Sequence, residues 1–277
     1  MERQKLSESH RRFWSICSTY FGFGQFGNQS FKDYADTPMI ISTKAVILSK
    51  LKYKDHDLIV RAYTASNGVV SFLVKGVFSS KKTKIKPAYF QPLSLLQLEI
   101  DYKNNRNLHY IKNVRLQQAY SALHTDILKS TVVIFLAEIL TMVLKEEAPN
   151  EGLYTYIETA LLWFDTVDCN SIFHHQFLMG LTKYVGVSPE LSNPTLPFFN
   201  LEAGLYQAKS SGRYCISGSK LTLFNSILGM EFDNYKSEQM NSAQKQELLN
   251  MILLYFKLHL QGFKSPKSLV ILSQVFN

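Results

Sequence analysis

Three cysteines in 277 residues, Cys17, Cys169 and Cys215, stand far apart and form no CxxC pair. That spacing suggests neither a zinc site nor a disulfide framework, and it fits a reducing cytoplasmic compartment. Long apolar runs are also missing. The longest, residues 131–144, is broken by Glu138 and falls short of the roughly 20 residues a bilayer needs, so no membrane role is expected. The first 38 residues hold no continuous apolar stretch of the secretory kind. Neither a GxxxxGK[ST] loop nor a GxSxG or HExxH motif occurs, so no enzyme and no cofactor are expected.

Against this plain background the charge stands out. Residues 39–116 carry 14 Lys and Arg against 4 Asp and Glu, a local net of +10, while the whole chain carries +8. Residues 1–38 have 5 against 4, and residues 117–277 have 11 against 14. A small segment this basic calls for a polyanionic partner.

The same segment reads as β-structure. Residues 40–51 are rich in β-branched side chains, and residues 58–63 follow as a second strand. Asn67-Gly68 between two such runs is a strong hairpin signal. Val70, Phe72 and Val74 alternate with Ser71, Leu73 and Lys75, so the first set faces a core. Residues 91–100 and 108–114 complete five strands, for which a small OB-fold barrel is the natural expectation.

After about residue 116 the period turns helical. Asp126 is expected to cap a buried helix through residues 127–143. Residues 153–164 and 172–185 read as two more helices, and Ser242 as the cap of another with its apolar stripe at 248–260. Pro266 is expected to open a last short helix. Residues 188–219, rich in Pro, Gly and Asn, read as a non-helical insert. The fold class is thus α+β and multidomain: an extension at 1–38, poorly ordered by its mix of Gly and aromatics, an OB-fold domain at 39–116, and a helical domain at 117–277 with an insert near 186–219.

The run Tyr53-Lys54-Asp55-His56-Asp57-Leu58-Ile59-Val60, with Val74-Lys75-Gly76-Val77 and Phe90-Gln91-Pro92-Leu93, resembles the RecO family of DNA recombination and repair proteins. So do Leu258-His259-Leu260, Gly262-Phe263 and Lys267-Ser268-Leu269 near the end. The likeness begins at Met39, so either Met39 is expected to be the start or 1–38 to be a dispensable tail. The resemblance implies an OB-fold followed by a helical domain, binding of single- and double-stranded DNA, strand annealing, and recombination mediation with RecR. It also implies the C-terminal tail of single-stranded DNA-binding protein as a partner, with Lys257 and Lys264 as candidate contacts, and a cytoplasmic, nucleoid-associated location. Many family members carry a four-cysteine zinc ribbon in the insert. Here only Cys215 falls there, so no zinc is expected, and Phe198, Phe199, Tyr206 and Tyr214 are expected to fill the space.

The candidate DNA-binding residues are Lys75, Lys81, Lys82, Lys84 and Lys86 along one strand end and loop, with Lys103 and Arg106 at another hairpin tip. Phe78 and Tyr102 beside them are candidates for base stacking. A lysine-rich barrel cannot by itself tell deoxyribose from ribose, so an RNA-binding OB protein is the alternative. Asp55-His56-Asp57 lies across a loop and strand start, where neighbours point to opposite faces. His174-His175, adjacent on a helix, are expected not to converge and to have a surface or core role. Glu146-Glu147 reads as a solvated helix end.

Overall fold

Strand β1, Met39–Tyr53, is buried on both faces over Ala45, Val46, Ile47 and Leu48, and that double burial explains the architecture. Its two-residue period serves two cores at once. Ala45 and Ile47 point into a barrel, while Val46 and Leu48 point outward into a helical body. The computed structural model describes residues 39–79, 85–103, 106–144, 148–168, 170–232 and 240–276. Lys81, Lys82, Lys84, Cys17, Cys169, Glu146, Glu147 and the whole of 1–38 lie outside them.

Four further strands complete the β-module: β2 Asp57–Thr64, β3 Gly68–Val74, β4 Leu95–Tyr102 and β5 His109–Leu116. Their hydrogen-bonded order is β1-β2-β3-β5-β4, and β4 pairs back onto β1. The β3–β5 seam is parallel and only two residue pairs long, Phe72 with His109 and Leu73 with Tyr110. The Asn67-Gly68 turn forms as expected, with Gly68 at φ +64°, a left-handed position glycine adopts without steric cost. A register shift between Ile47 and Ser49 frees Leu48 from the ladder with β2 and lets it face the helices. A 3-10 turn at Pro87–Phe90 brings Phe90 into the barrel core.

The helical body follows. Helix α1, Ile127–Val143, starts where Asp126 accepts from the Lys129 amide at 2.9 Å, the expected cap. Helix α2, Glu151–Thr166, is capped by Asn150. The buried ammonium of Lys129 donates to the carbonyls of Asp165 and Val167, at the C-terminal end of α2 where cations are favoured. Helix α3, Phe173–Tyr184, packs on α2 through rings, with Phe164 and Phe173 stacked at 3.9 Å.

Between α3 and the later helices, the insert is more regular than its turn residues suggest. Three short strands, β6 Phe198–Asn200, β7 Leu205–Gln207 and β8 Cys215–Ser217, form an antiparallel sheet in the order β7-β6-β8. Phe199 is fully buried there, 5.0 Å from Tyr206 and 5.1 Å from Phe224. Helix α4, Gly218–Asn225, begins inside the stretch read as a loop.

Two helix starts differ from expectation. Helix α5, Ser242–His259, is capped one residue earlier, by Asn241, which exchanges side chain-to-backbone hydrogen bonds with Gln244 in a capping box. Helix α6, Leu269–Phe276, starts three residues after Pro266. The reason is Glu138 of α1, whose carboxylate accepts from the Lys267 and Ser268 amides at 2.8 and 2.9 Å and from the Ser268 hydroxyl at 2.6 Å. The charge that interrupts the longest apolar run therefore holds the entry to the last helix.

Barrel and helices belong to one compact unit, Met39–Tyr102 with Arg106–Asn277. Lys44 of β1 meets Glu158 of α2 at 3.2 Å, and Arg61 of β2 donates to the Leu144 carbonyl at 3.1 Å. Asp165 accepts from the amides of Ser121, Ala122 and Leu123 and from the Ser121 hydroxyl, fixing the β5–α1 linker. Burial alone would push the Asp165 carboxyl up, but these hydrogen bonds outweigh it and hold its pKa below the usual range.

Candidate nucleic-acid interface

Strand pairing assembles a row that no single stretch of sequence contains. Leu51 of β1 lies opposite Ile59 of β2, Ile59 opposite Leu73 of β3, and Leu73 opposite Tyr110 of β5. None of the four belongs to the buried barrel core, and Leu51 is 66% exposed. An apolar row on the outer face of a barrel is unusual where water is the only neighbour. Here it crosses strands 2 and 3, the face on which OB-folds hold oligonucleotides.

Cations frame the row. Lys75, exposed at the end of β3, places its ammonium 5.0 Å from the centre of the Tyr110 ring. The Arg106 guanidinium lies 5.9 Å from the same ring. Lys50, Lys52 and Lys54 stand exposed at the tip of the β1–β2 hairpin, Lys54 at φ +51° in the turn. The Lys52 ammonium lies 5.9 Å from the ring of Phe78, which is 42% exposed. The hairpin is tied to the loop after β3 by Asp57, which accepts from the Gly76 amide at 2.8 Å, and by the Phe78 amide donating to the His56 carbonyl at 3.1 Å. Asp57 therefore has a structural job in the loop.

The other expected residues are placed unevenly. Lys86 is exposed just ahead of the 3-10 turn, and Lys103 directly follows β4. Lys81, Lys82 and Lys84 lie outside the described residues. Arg106 turns back toward Asp101 at 3.9 Å instead of simply projecting, and Lys112 approaches the same carboxylate at 3.8 Å. Tyr102 stacks on His109, ring centres 4.6 Å apart and nearly parallel, so one of its faces is already covered. Burial keeps the His109 imidazole below its ordinary pKa, against backbone hydrogen bonds that favour the cation, so at neutral pH it adds no charge.

Sequence reasoning missed Leu51, Ile59 and Tyr110 as a set, together with the three hairpin lysines. A signal existed: Leu73 stands at an outward position between Ser71 and Lys75, where a polar side chain is ordinarily found.

Away from the barrel, His174 and His175 are both buried, and their ring centres lie 4.2 Å apart. They do approach one another, in the core role, because α3 is covered on that side by α5 and α6. The His175 Nε2 donates to the Lys245 carbonyl at 2.9 Å, and Phe276 packs 5.6 Å from His174. Burial lowers both pKa values, that of His175 to about 4. Among the described residues, no group of three or more His, Cys, Asp or Glu is arranged to hold a metal ion, and no helix is long and apolar enough to cross a membrane.

Residues 39–120 match the family model described as recombination protein O N terminal, and residues 124–269 match recombination protein O C terminal. The DNA repair protein RecO of Christiangramia forsetii is 41% identical over 238 residues, covering 86% of this chain and 100% of that protein. Those of Flavobacterium psychrophilum and Flavobacterium johnsoniae are 40% and 39% identical with the same coverage. The chain belongs to the RecO family of DNA repair and recombination proteins.

Proposed function

We propose that this chain binds single- and double-stranded DNA on the outer face of its OB-type barrel and anneals complementary strands. It does so without catalysis, as a recombination mediator acting with RecR and single-stranded DNA-binding protein. The reading rests above all on the apolar row Leu51–Ile59–Leu73–Tyr110 lying between lysines. Bases stack on apolar and aromatic side chains while phosphates meet ammonium groups, and neither contact requires a particular sequence. Annealing needs only that two strands be brought together with their repulsion screened and their base edges free.

Electrostatics gives the test a definite form. Each phosphate contact on a single strand contributes about −0.7 to the log–log slope of affinity against salt, so five engaged lysines give about −3 to −4. Reversing the charge of Lys81, Lys82, Lys84 and Lys86 together should abolish binding to a labelled oligonucleotide and leave the melting temperature unchanged. Undiminished affinity at moderate salt would end the proposal. Competition between DNA and RNA strands of equal length separates this reading from an RNA-binding role, and DNA is expected to win.

Partner chemistry points to the helical body. Lys257 lines a small cleft with Leu253, Leu254, Phe263 and Leu269. A short acidic peptide with an apolar end, such as the tail of single-stranded DNA-binding protein, has the matching chemistry. Titration with that peptide tests it, and an absent response removes it.

The insert is proposed to fold without zinc, since Cys215 is its only cysteine and four thiolates cannot assemble. Purified protein should carry no stoichiometric zinc by elemental analysis.

A further inference from the structure

Where β5 runs into α1, the surface opens into a groove of about 370 Å3, near the lower end of the roughly 300–1,000 Å3 that small-ligand sites occupy. Tyr89, Leu116, Tyr120 and His124 form its apolar walls, and Lys86 and Gln91 supply polar groups. The walls are fixed. The Tyr120 hydroxyl donates to the Leu93 carbonyl at 2.8 Å, and His124 Nε2 donates to the Pro92 carbonyl at 2.9 Å. The two rings meet edge to face with centres 5.3 Å apart. Tyr89 is held from behind by the barrel core. With the phenol and the imidazole N–H committed to backbone, these side chains offer the groove mainly their ring surfaces. No carboxylate lines it.

Charge and ring chemistry identify the occupant. Lys86, exposed at the groove, is a cation with no carboxylate beside it in the lining. A phosphate resting on its ammonium sets the adjoining base beside the rings of Tyr89, Tyr120 and His124. We propose that the groove is a nucleobase subsite that takes one unstacked base of a single strand while the adjoining phosphate rests on Lys86. The inference depends on the barrel binding DNA and adds to it a reason for preferring unpaired strands. A base held in a duplex reaches such a groove only after it is unstacked and unpaired, which costs a few kcal/mol.

Two alanines, Ala88 and Ala119, are exposed residues of the lining and carry none of the proposed contacts. Enlarging either one fills the groove without removing a ring or a charge. With the full chain, Ala119→Trp and Ala88→Trp should each lower affinity for a single-stranded oligonucleotide about tenfold, the scale of one lost stacking contact. Affinity for the matching duplex and the melting temperature should stay as in the unsubstituted protein. Binding of a strand carrying one 2-aminopurine should change the probe's emission, and the substitutions should reduce that change. Deoxyadenosine monophosphate, which lacks the neighbouring phosphates, should compete poorly.

Unchanged single-strand affinity in a folded variant, equal losses for strand and duplex, or an unaltered 2-aminopurine signal on binding would each overturn the subsite. A mononucleotide competing as well as the strand would reassign the groove to free nucleotides. If the unsubstituted protein bound no DNA at all, the broader reading would fall first and the subsite with it, so the two failures are distinguishable.

Discussion

Tyr63 on β2 and Asn150 at the start of α2 exchange two hydrogen bonds: the phenol donates to the Asn150 carbonyl and accepts from its amide, both at 3.2 Å. Asn150 also caps α2, its side chain accepting from the Leu153 amide at 3.0 Å. One hydroxyl on the barrel thus fixes the residue that starts a helix, and Tyr63 itself is fully buried. Tyr63→Phe removes that hydroxyl and leaves two backbone groups without it, which costs about 1–3 kcal/mol in a buried setting. Urea unfolding should show that loss with the slope unchanged. A loss below about 0.5 kcal/mol, less than a typical net hydrogen bond, would mean the junction is held elsewhere.

The β-module was legible because its signals are local. An Asn-Gly turn and strict alternation place β2 within a residue of its observed limits and set the inward face of β3 correctly. The helix starts were less legible, since their caps depend on partners far away in sequence. Pro266 could open a helix by its own geometry, but Glu138, about 130 residues earlier, takes the amides of Lys267 and Ser268 and sets the start at Leu269. Helix α4 was hidden by Gly218 at its first position, which reads as a turn in isolation. The interface row was hidden for a related reason. Each member is an ordinary apolar residue on its own strand, and only cross-strand register aligns the four.

Tyr110 is where the row meets its cations, so it separates stacking from charge. Tyr110→Ala should weaken binding of single-stranded DNA by about 1–3 kcal/mol, and Tyr110→Phe should leave it near the starting value, since the ring is what stacks. The salt slope should stay the same in both, because no ammonium is removed. Equal losses in the two variants would mean that the hydroxyl, and not the ring, makes the contact.

Asp101 opposes the proposed function, for its carboxylate draws both Arg106 and Lys112. Both contacts are long, at 3.9 and 3.8 Å, and the Lys112 side chain stands about half exposed, so the pairs contribute little to stability, about 0–1 kcal/mol. Asp101→Asn should therefore leave folding almost untouched while freeing two cations. Affinity for a single strand should rise, and the salt slope should steepen by up to about 1.4, the share of two further phosphate contacts. A slope that stays constant would place Arg106 and Lys112 away from the bound strand.

Glu138 gives the last helix an anchor that can be removed. Burial alone would raise its pKa, yet the hydrogen bonds from Ser268 and Lys267 leave it below the usual carboxylate value. Glu138→Ala should speed amide exchange through Leu269–Phe276 ahead of the rest of the chain, and it should cost about 1–3 kcal/mol. Exchange rising uniformly across the molecule would mean that α6 has no separate anchor.

His174 and His175 set how stability responds to mild acid. Both are neutral in the fold because burial lowers their pKa values, His175 to about 4, and the Lys245 ammonium disfavours a second positive charge nearby. In the unfolded chain each takes up a proton near pH 6.5. Below that pH the unfolded state binds more protons than the folded one, so stability falls as pH drops from about 6.5 toward 4. For His175 alone the shift corresponds to roughly 3 kcal/mol across that window. The depressed carboxylates Asp165 and Glu138 contribute to the pH dependence only below about pH 5, so the decline above that pH belongs to the histidines and not to them. Urea midpoints measured from pH 7.5 to 5 should decline steadily, and a His174→Gln, His175→Gln double variant should show a flatter profile. If the variant declines as steeply as the parent, the acid sensitivity belongs to other groups and the buried pair is only packing.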